Sequence, residues 1–185
     1  MTIRSKIGLA ALAVACATGY AIAGLSGSGI TAPIQVAQAR TAAPEFAGLG
    51  QWFNSEPLTM QKLRGKVVMV DFWTYGCINC VRTLPYVTKL HEKYKDKGLV
   101  IVGIHTPEFP FERSASNVEA ALKRHGIAYP VAQDNNFGTW RAYSNQYWPA
   151  QYIVDRNGQI VYTHAGEGAY EEMDRLIGKL LNATS

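Results

Sequence analysis

Val67-Val68-Met69-Val70-Asp71-Phe72-Trp73-Thr74-Tyr75-Gly76-Cys77-Ile78-Asn79-Cys80 is the stretch that decides how this chain folds. Its first seven residues are apolar apart from Asp71, the pattern of a strand buried on both faces. After Cys77, apolar residues recur at Ile78, Val81, Leu84, Val87, Leu90 and Tyr94, close to helical spacing, until Gly98 ends the segment. The two cysteines therefore sit on a strand-to-helix turn. A thiol at a helix N-terminus faces unpaired backbone N–H groups and the positive end of the helix dipole, both of which favour a thiolate. That placement predicts a reversible dithiol/disulfide site with Cys77 as the nucleophile.

Other uses of a CxxC pair fit this sequence less well. A zinc site would need a second CxxC or an HxxxH, and neither is present. Attachment of a c-type haem needs His directly after the second cysteine, where this chain has Val81. A purely structural disulfide usually closes a longer loop, because its entropic stabilisation grows with loop size. No cofactor or metal site is expected.

Asp71 interrupts an apolar strand, and burial there disfavours its charged form and raises its pKa toward the range useful for proton transfer. The alternative is an exposed acid on an edge strand. Pro85 falls inside the apolar spacing that continues to Tyr94, so the helix is read through it. It removes one backbone hydrogen bond and kinks the helix, at about 3 kcal/mol or more unless the fold accommodates it. His105-Thr106-Pro107-Glu108-Phe109 follows the apolar run Leu99 to Ile104, which places it at a strand's C-terminal end, near the cysteines in an α/β sheet. Glu108 is a possible second acid or substrate contact, with a solvated loop residue as the plainer reading. His105 reads as structural, and His164 is left without a role.

The remaining segments supply a scaffold. Ser116-Asn117-Val118-Glu119 matches a capping box ahead of a helix ending near Gly126. Tyr129 to Ala132 reads as a short strand and Phe137 to Tyr143 as a helical insertion. Gln151 to Asp155 and Gln159 to His164 flank Arg156-Asn157-Gly158, the signature of an antiparallel hairpin. Met173, Leu176, Ile177, Leu180 and Leu181 mark an amphipathic closing helix. This order predicts an α/β fold with a central mixed sheet and helices on both faces.

These residues resemble the thioredoxin superfamily, in which an acid, Phe and Trp precede the CxxC and a proline lies eight residues after the first Cys. Asp71-Phe72-Trp73, Cys77, Cys80 and Pro85 match that pattern. The stretches DFWTYGCINC, HTPEF, YWPAQYIVD and HAGEGAY are similar, more narrowly, to bacterial extracytoplasmic thioredoxin-like proteins, among them the soluble domain of DipZ-type disulfide transporters and TlpA-like proteins. Ile78-Asn79 stands where ordinary thioredoxin has Gly-Pro. The resemblance implies a thioredoxin-like fold with a short αβ insertion before the strand that follows a cis-proline. It puts Asp71 beneath Cys80 as general base when that thiol resolves the mixed disulfide formed by Cys77. It implies a cis bond before Pro149, which would present the Trp148 backbone to a substrate chain and keep metal ions off the dithiol. Trp73, Trp148 and Glu108 are the expected substrate contacts.

The first 43 of the 185 residues differ in kind. Arg4 and Lys6 precede an Ala-rich apolar stretch from Ile7 to Leu25, so residues 1–25 read as an export signal or membrane anchor. Ala21-Ile22-Ala23 and Ala37-Gln38-Ala39 are both cleavage candidates, and Cys16 is a passenger in the apolar segment. Residues 26–43 form a Ser/Gly/Ala/Thr-rich flexible linker, and residues 44–185 make one domain of ordinary size. The formal charge of +4 includes Arg4, Lys6 and Arg40, which leaves 15 basic against 14 acidic residues from Pro44 onward. Nucleic acid is therefore not an indicated partner.

Two cysteines spaced for one bridge fit an oxidising compartment, where a dithiol acting as reductant must be kept reduced by a donor. By resemblance the donor is a membrane thiol transporter of the CcdA or DsbD kind. The expected function is an extracytoplasmic thiol:disulfide oxidoreductase of the bacterial periplasm or the outer face of the inner membrane. It would reduce protein disulfides as a monomer, in cytochrome c maturation or in disulfide repair. Two alternatives stand beside it. Thr74-x-x-Cys77 echoes half of a thiol peroxidase pattern, whose proline position is taken by Val70. A redox-sensing or copper-handling module would use the two thiolates to hold Cu(I).

Overall fold

The computed structural model describes residues 41–183. The expected signal or anchor, Cys16 and the linker up to residue 40 lie outside the described residues. In chain order the elements are strands β1 (Thr41–Ala42), β2 (Trp52–Phe53) and β3 (Val67–Trp73), helix α1 (Ile78–Tyr94), strand β4 (Leu99–His105), helix α2 (Ala115–Arg124) and strand β5 (Val131–Gln133). Helix α3 (Gly138–Ala142), strands β6 (Ala150–Val154) and β7 (Gln159–Ala165), and helix α4 (Tyr170–Asn182) complete the fold. The seven strands form one mixed sheet in the order β1-β7-β6-β3-β4-β5-β2. The thioredoxin-like architecture read from the sequence is the one observed.

β3 lies at the centre, parallel to β4 and antiparallel to β6, with every residue buried. Its alternation sorts side chains to the two faces of the sheet. Val67, Met69 and Trp73 pack under α1, α2 and α4, against Leu84, Val87, Leu90, Val118, Leu122, Met173 and Ile177. Val68, Val70 and Phe72 face the other way, onto Met60, Leu63, Tyr143 and Tyr152, with Phe46, Leu49 and Trp140 at the margin. Helices therefore cover both faces, with α3 and the segment before β3 closing the second. α2, β5 and α3 lie between β4 and the strand after Pro149, and α3 falls within Phe137 to Tyr143, the stretch read as a helical insertion.

α1 runs unbroken through Pro85, whose ring lies on the exposed side. The hairpin β6–β7 turns at Arg156-Asn157-Gly158, where Gly158 takes a φ of +71°. Four details differ from the sequence reading. α2 starts at Ser114 as N-cap, because a 3-10 turn over Pro110–Arg113 delivers the chain there in extended conformation. The capping box expected at Ser116 is absent, and the Ser116 hydroxyl pairs with that of Ser114 instead. β5 lies two residues later than expected at its start, and β1 pairs with Ile160 and Gln159 of β7 at the end of the stretch read as linker.

Candidate active site

Cys77 is the N-cap of α1 and half-buried, while Cys80, one turn into the helix, is only 1% exposed. Both positions follow from the helix starting at Ile78. The first cysteine stands at the mouth, and the second turns down onto the face of β3 that carries Asp71 and Trp73. Burial pushes the Cys80 thiol far up; a backbone hydrogen bond from Thr74 opposes this, and the neighbouring Cys77 and Asp71 reinforce it. A thiol in that state does not ionise by itself at neutral pH.

Asp71 is 1% exposed and stands in register with Gly103 of β4 and Gln151 of β6. Gln151 Nε2 donates to its Oδ1 at 2.9 Å. Burial pushes the Asp71 carboxyl up to about 7, against the lowering effect of that hydrogen bond. The edge-strand alternative does not apply, since β3 is central. A carboxyl that exchanges its proton near neutral pH, beside a thiol that cannot lose its own unaided, is suited to general-base work.

Three loops close around the dithiol. The Trp148–Pro149 peptide bond is cis, and the Trp148 carbonyl lies 3.9 Å from Cys77 Sγ, the thiol donating a weak hydrogen bond. The Trp148 indole N–H donates to the Thr106 carbonyl at 3.0 Å, and the Thr106 N–H donates to the Trp73 carbonyl at 3.0 Å. The Trp148 ring packs on Trp140 at 4.1 Å between centroids and remains partly accessible. His105 is buried, contacts Thr74 Oγ1 through Nε2 at 3.3 Å and stacks under Tyr75. Burial pushes its imidazole down to about 4, so it is neutral at working pH and acts as packing for the turn.

Trp73 requires a correction. It is fully buried, edge-on to His105 and against Gly103, where an added Cβ would come within 3.0 Å of its Nε1. An enclosed ring offers no surface to a substrate, so Trp73 forms the floor of the site. Glu108 has an exposed side chain. The residue on that loop which reaches the cysteine turn is Glu112, which the sequence reading passed over. Its side chain is fully buried, Oε1 accepting from the Gly76 N–H at 2.8 Å and Oε2 from the N–H groups of Glu108 at 2.6 Å and Phe109 at 2.9 Å. Pro110 followed by Glu112 was a legible helix-start signal, which explains the bond to Phe109 but not the one to Gly76. His164 stands apart, its Nε2 3.2 Å from the Glu167 carbonyl.

A half-buried helix-capping thiol, a buried partner thiol, an acid beneath them and a cis-proline facing them define a thioredoxin-fold dithiol/disulfide centre. The Redoxin family model matches residues 38–177, and the chain belongs to that family, within the thioredoxin superfamily of thiol-disulfide oxidoreductases. Protein DipZ of Mycobacterium bovis is 45% identical over 143 residues, which cover 76% of this chain and 21% of that protein. The chain thus spans about a fifth of that relative's length. The thiol-disulfide oxidoreductase YkuV of Bacillus subtilis is 27% identical over 141 residues, covering 76% of this chain and 95% of that one. A solution structure of a thioredoxin-like protein in the oxidized form superposes with a TM-score of 0.71 at 28% identity, covering 79% of this chain and 98% of that one.

Proposed function

We propose that this chain is an extracytoplasmic reductant of protein disulfides in which Cys77 attacks and Cys80 resolves. The observation that carries the reading is the unequal setting of the two thiols, one at the mouth of the site and one sealed against an acid with a carboxyl poised near 7. The Cys77 thiolate attacks one sulfur of the substrate disulfide, forming a mixed disulfide and releasing the other substrate sulfur as a thiolate. Asp71 then takes the proton of Cys80. The Cys80 thiolate attacks Cys77 Sγ, and the substrate's second sulfur leaves. Two electrons pass to the substrate, whose two sulfurs end as thiols, and the chain is left with a Cys77–Cys80 disulfide.

The Trp148 carbonyl and the cis-proline edge supply a backbone surface against which an extended substrate segment would lie. Trp148 and Glu108, both accessible, flank that approach. By the resemblance set out from the sequence, the setting is the bacterial periplasm or the outer face of the inner membrane. The electron donor would be a membrane thiol transporter of the CcdA or DsbD kind, and the purpose cytochrome c maturation or disulfide repair.

The test is to trap mixed disulfides with the Cys80→Ser variant in the native envelope and to identify the captured chains. Cytochrome precursors or transporter segments bound through Cys77 are the expected result. Capture of nothing, together with failure of the wild-type protein to reduce insulin disulfides, would overturn the reading.

A further inference from the structure

We infer that Glu112 is a positioning residue for the attack by Cys77, locking the turn that carries the nucleophile to the loop that carries the exposed pair Phe109 and Phe111. The inference rests on the oxidoreductase reading above and adds to it a residue and a substrate-facing ledge.

A carboxylate with no exposed surface is costly to bury unless its oxygens are satisfied, and three backbone N–H groups satisfy this one. Two of them belong to its own loop and fit an ordinary cap of the 3-10 turn. The third belongs to Gly76, 36 residues away in sequence and directly before Cys77. A cap would need one oxygen, so the second oxygen has been committed to the cysteine turn. Gly76 is shaped for it: a Cβ there would fall onto Glu112 Oε1, so the carboxylate reaches the N–H only because the side chain is missing. A second tie runs alongside, from the Tyr75 hydroxyl to the Phe111 carbonyl at 2.9 Å.

The loop so fastened carries Phe109 and Phe111, 45% and 58% exposed, their rings parallel with centroids 5.6 Å apart. Ile78 and Tyr147, at 59% and 60%, are exposed next to Cys77 and Trp148 respectively. Four of the five large apolar side chains exposed among the described residues thus belong to segments that meet at the cysteine turn. The occupant that suits a fixed aromatic ledge beside a thiol nucleophile is a polypeptide disulfide flanked by apolar residues. Holding ledge and sulfur in one frame lets docking energy go into orientation, where a displacement of about 1 Å can slow a reaction by roughly 100-fold.

The experiment compares wild type with Glu112→Gln and Gly76→Ala, on an apolar-flanked peptide disulfide and on oxidised glutathione. Gln keeps the shape but turns an N–H toward an N–H donor, whereas Ala leaves Glu112 chemically intact and displaces it. Both variants are expected to cut the rate of attack by Cys77 on either substrate by roughly 10- to 100-fold. KM is expected to rise for the peptide only, and resolution by Cys80 should keep its rate and pH profile. A purely structural role predicts a lower melting temperature with unchanged attack per folded molecule, and that result overturns the inference. Failure of the wild type on both substrates would instead sink the oxidoreductase reading.

Discussion

The two faces of β3 share one strand and almost nothing else. On the face packed under α1, α2 and α4, Asp71 and Trp73 lie under Cys80, with a buried glutamine, a raised carboxyl and a sealed thiol within one layer. On the other, Phe72 meets Trp140, Tyr143 and Tyr152 edge-on, with centroids 5.6 to 5.8 Å away, in a cluster built from aromatic and aliphatic side chains. A single register thus sorts the strand: Asp71 and Trp73 face the layer that holds the two thiols, and Val68, Val70 and Phe72 face the aromatic packing.

Four substitutions test that division, beginning with the largest expected effect. Cys77→Ser should lower disulfide exchange by roughly 10³-fold or more, since the attacking sulfur is gone, while leaving the fold intact by circular dichroism. Phe72→Ala, on the quiet face, is expected to lose about 3–5 kcal/mol in denaturant unfolding. Its exchange rate per folded molecule should be unchanged, and a loss of rate there would break the separation of faces.

Asp71→Asn sharpens the comparison because it should act on both quantities in opposite directions. Resolution of the mixed disulfide at pH 7 to 8 is expected to slow by about 10²-fold, with attack by Cys77 mostly preserved, in quenched-flow measurements. Burial raises the Asp71 carboxyl from 3.8 in the unfolded chain to about 7 in the fold, so the folded state binds its proton more tightly. The stability tied to that proton is complete below pH 4 and lost as pH climbs through 7. Asn cannot ionise and retains an acceptor for Gln151, so the variant should be the more stable protein above pH 7, by roughly 1–4 kcal/mol, with the advantage fading toward pH 4. At the small end, Lys123→Ala removes an exposed pair with Glu119 across one helical turn and should change stability by less than about 0.5 kcal/mol.

Elements with strong periodicity are legible in the sequence itself. β3, α1, the β6–β7 hairpin and α4 each carry enough alternating or helical pattern to declare themselves, and Asp71 stood out because a carboxyl in an apolar run has few innocent explanations. β1 and β2 were missed because two residues cannot show a period, and each exists only by pairing with a distant strand. Glu112 was missed for a related reason. In sequence it is an acid in a loop of mixed aromatic and charged residues, and the partner that explains its burial is a backbone group a helix and a strand away. Trp73 was misassigned because a motif gives neighbours along the chain, whereas accessibility depends on Gly103, which lets the indole sink into the sheet.

The depth of Cys80 bears on how the molecule is guarded. With only 1% of its surface open, it meets no oxidant, alkylating reagent or stray thiol arriving from solvent, and its sole route to oxidation is through the sulfur of Cys77. Every covalent event at this centre is thereby funnelled through a single doorway, and damage beyond a reversible adduct stops at the outer thiol.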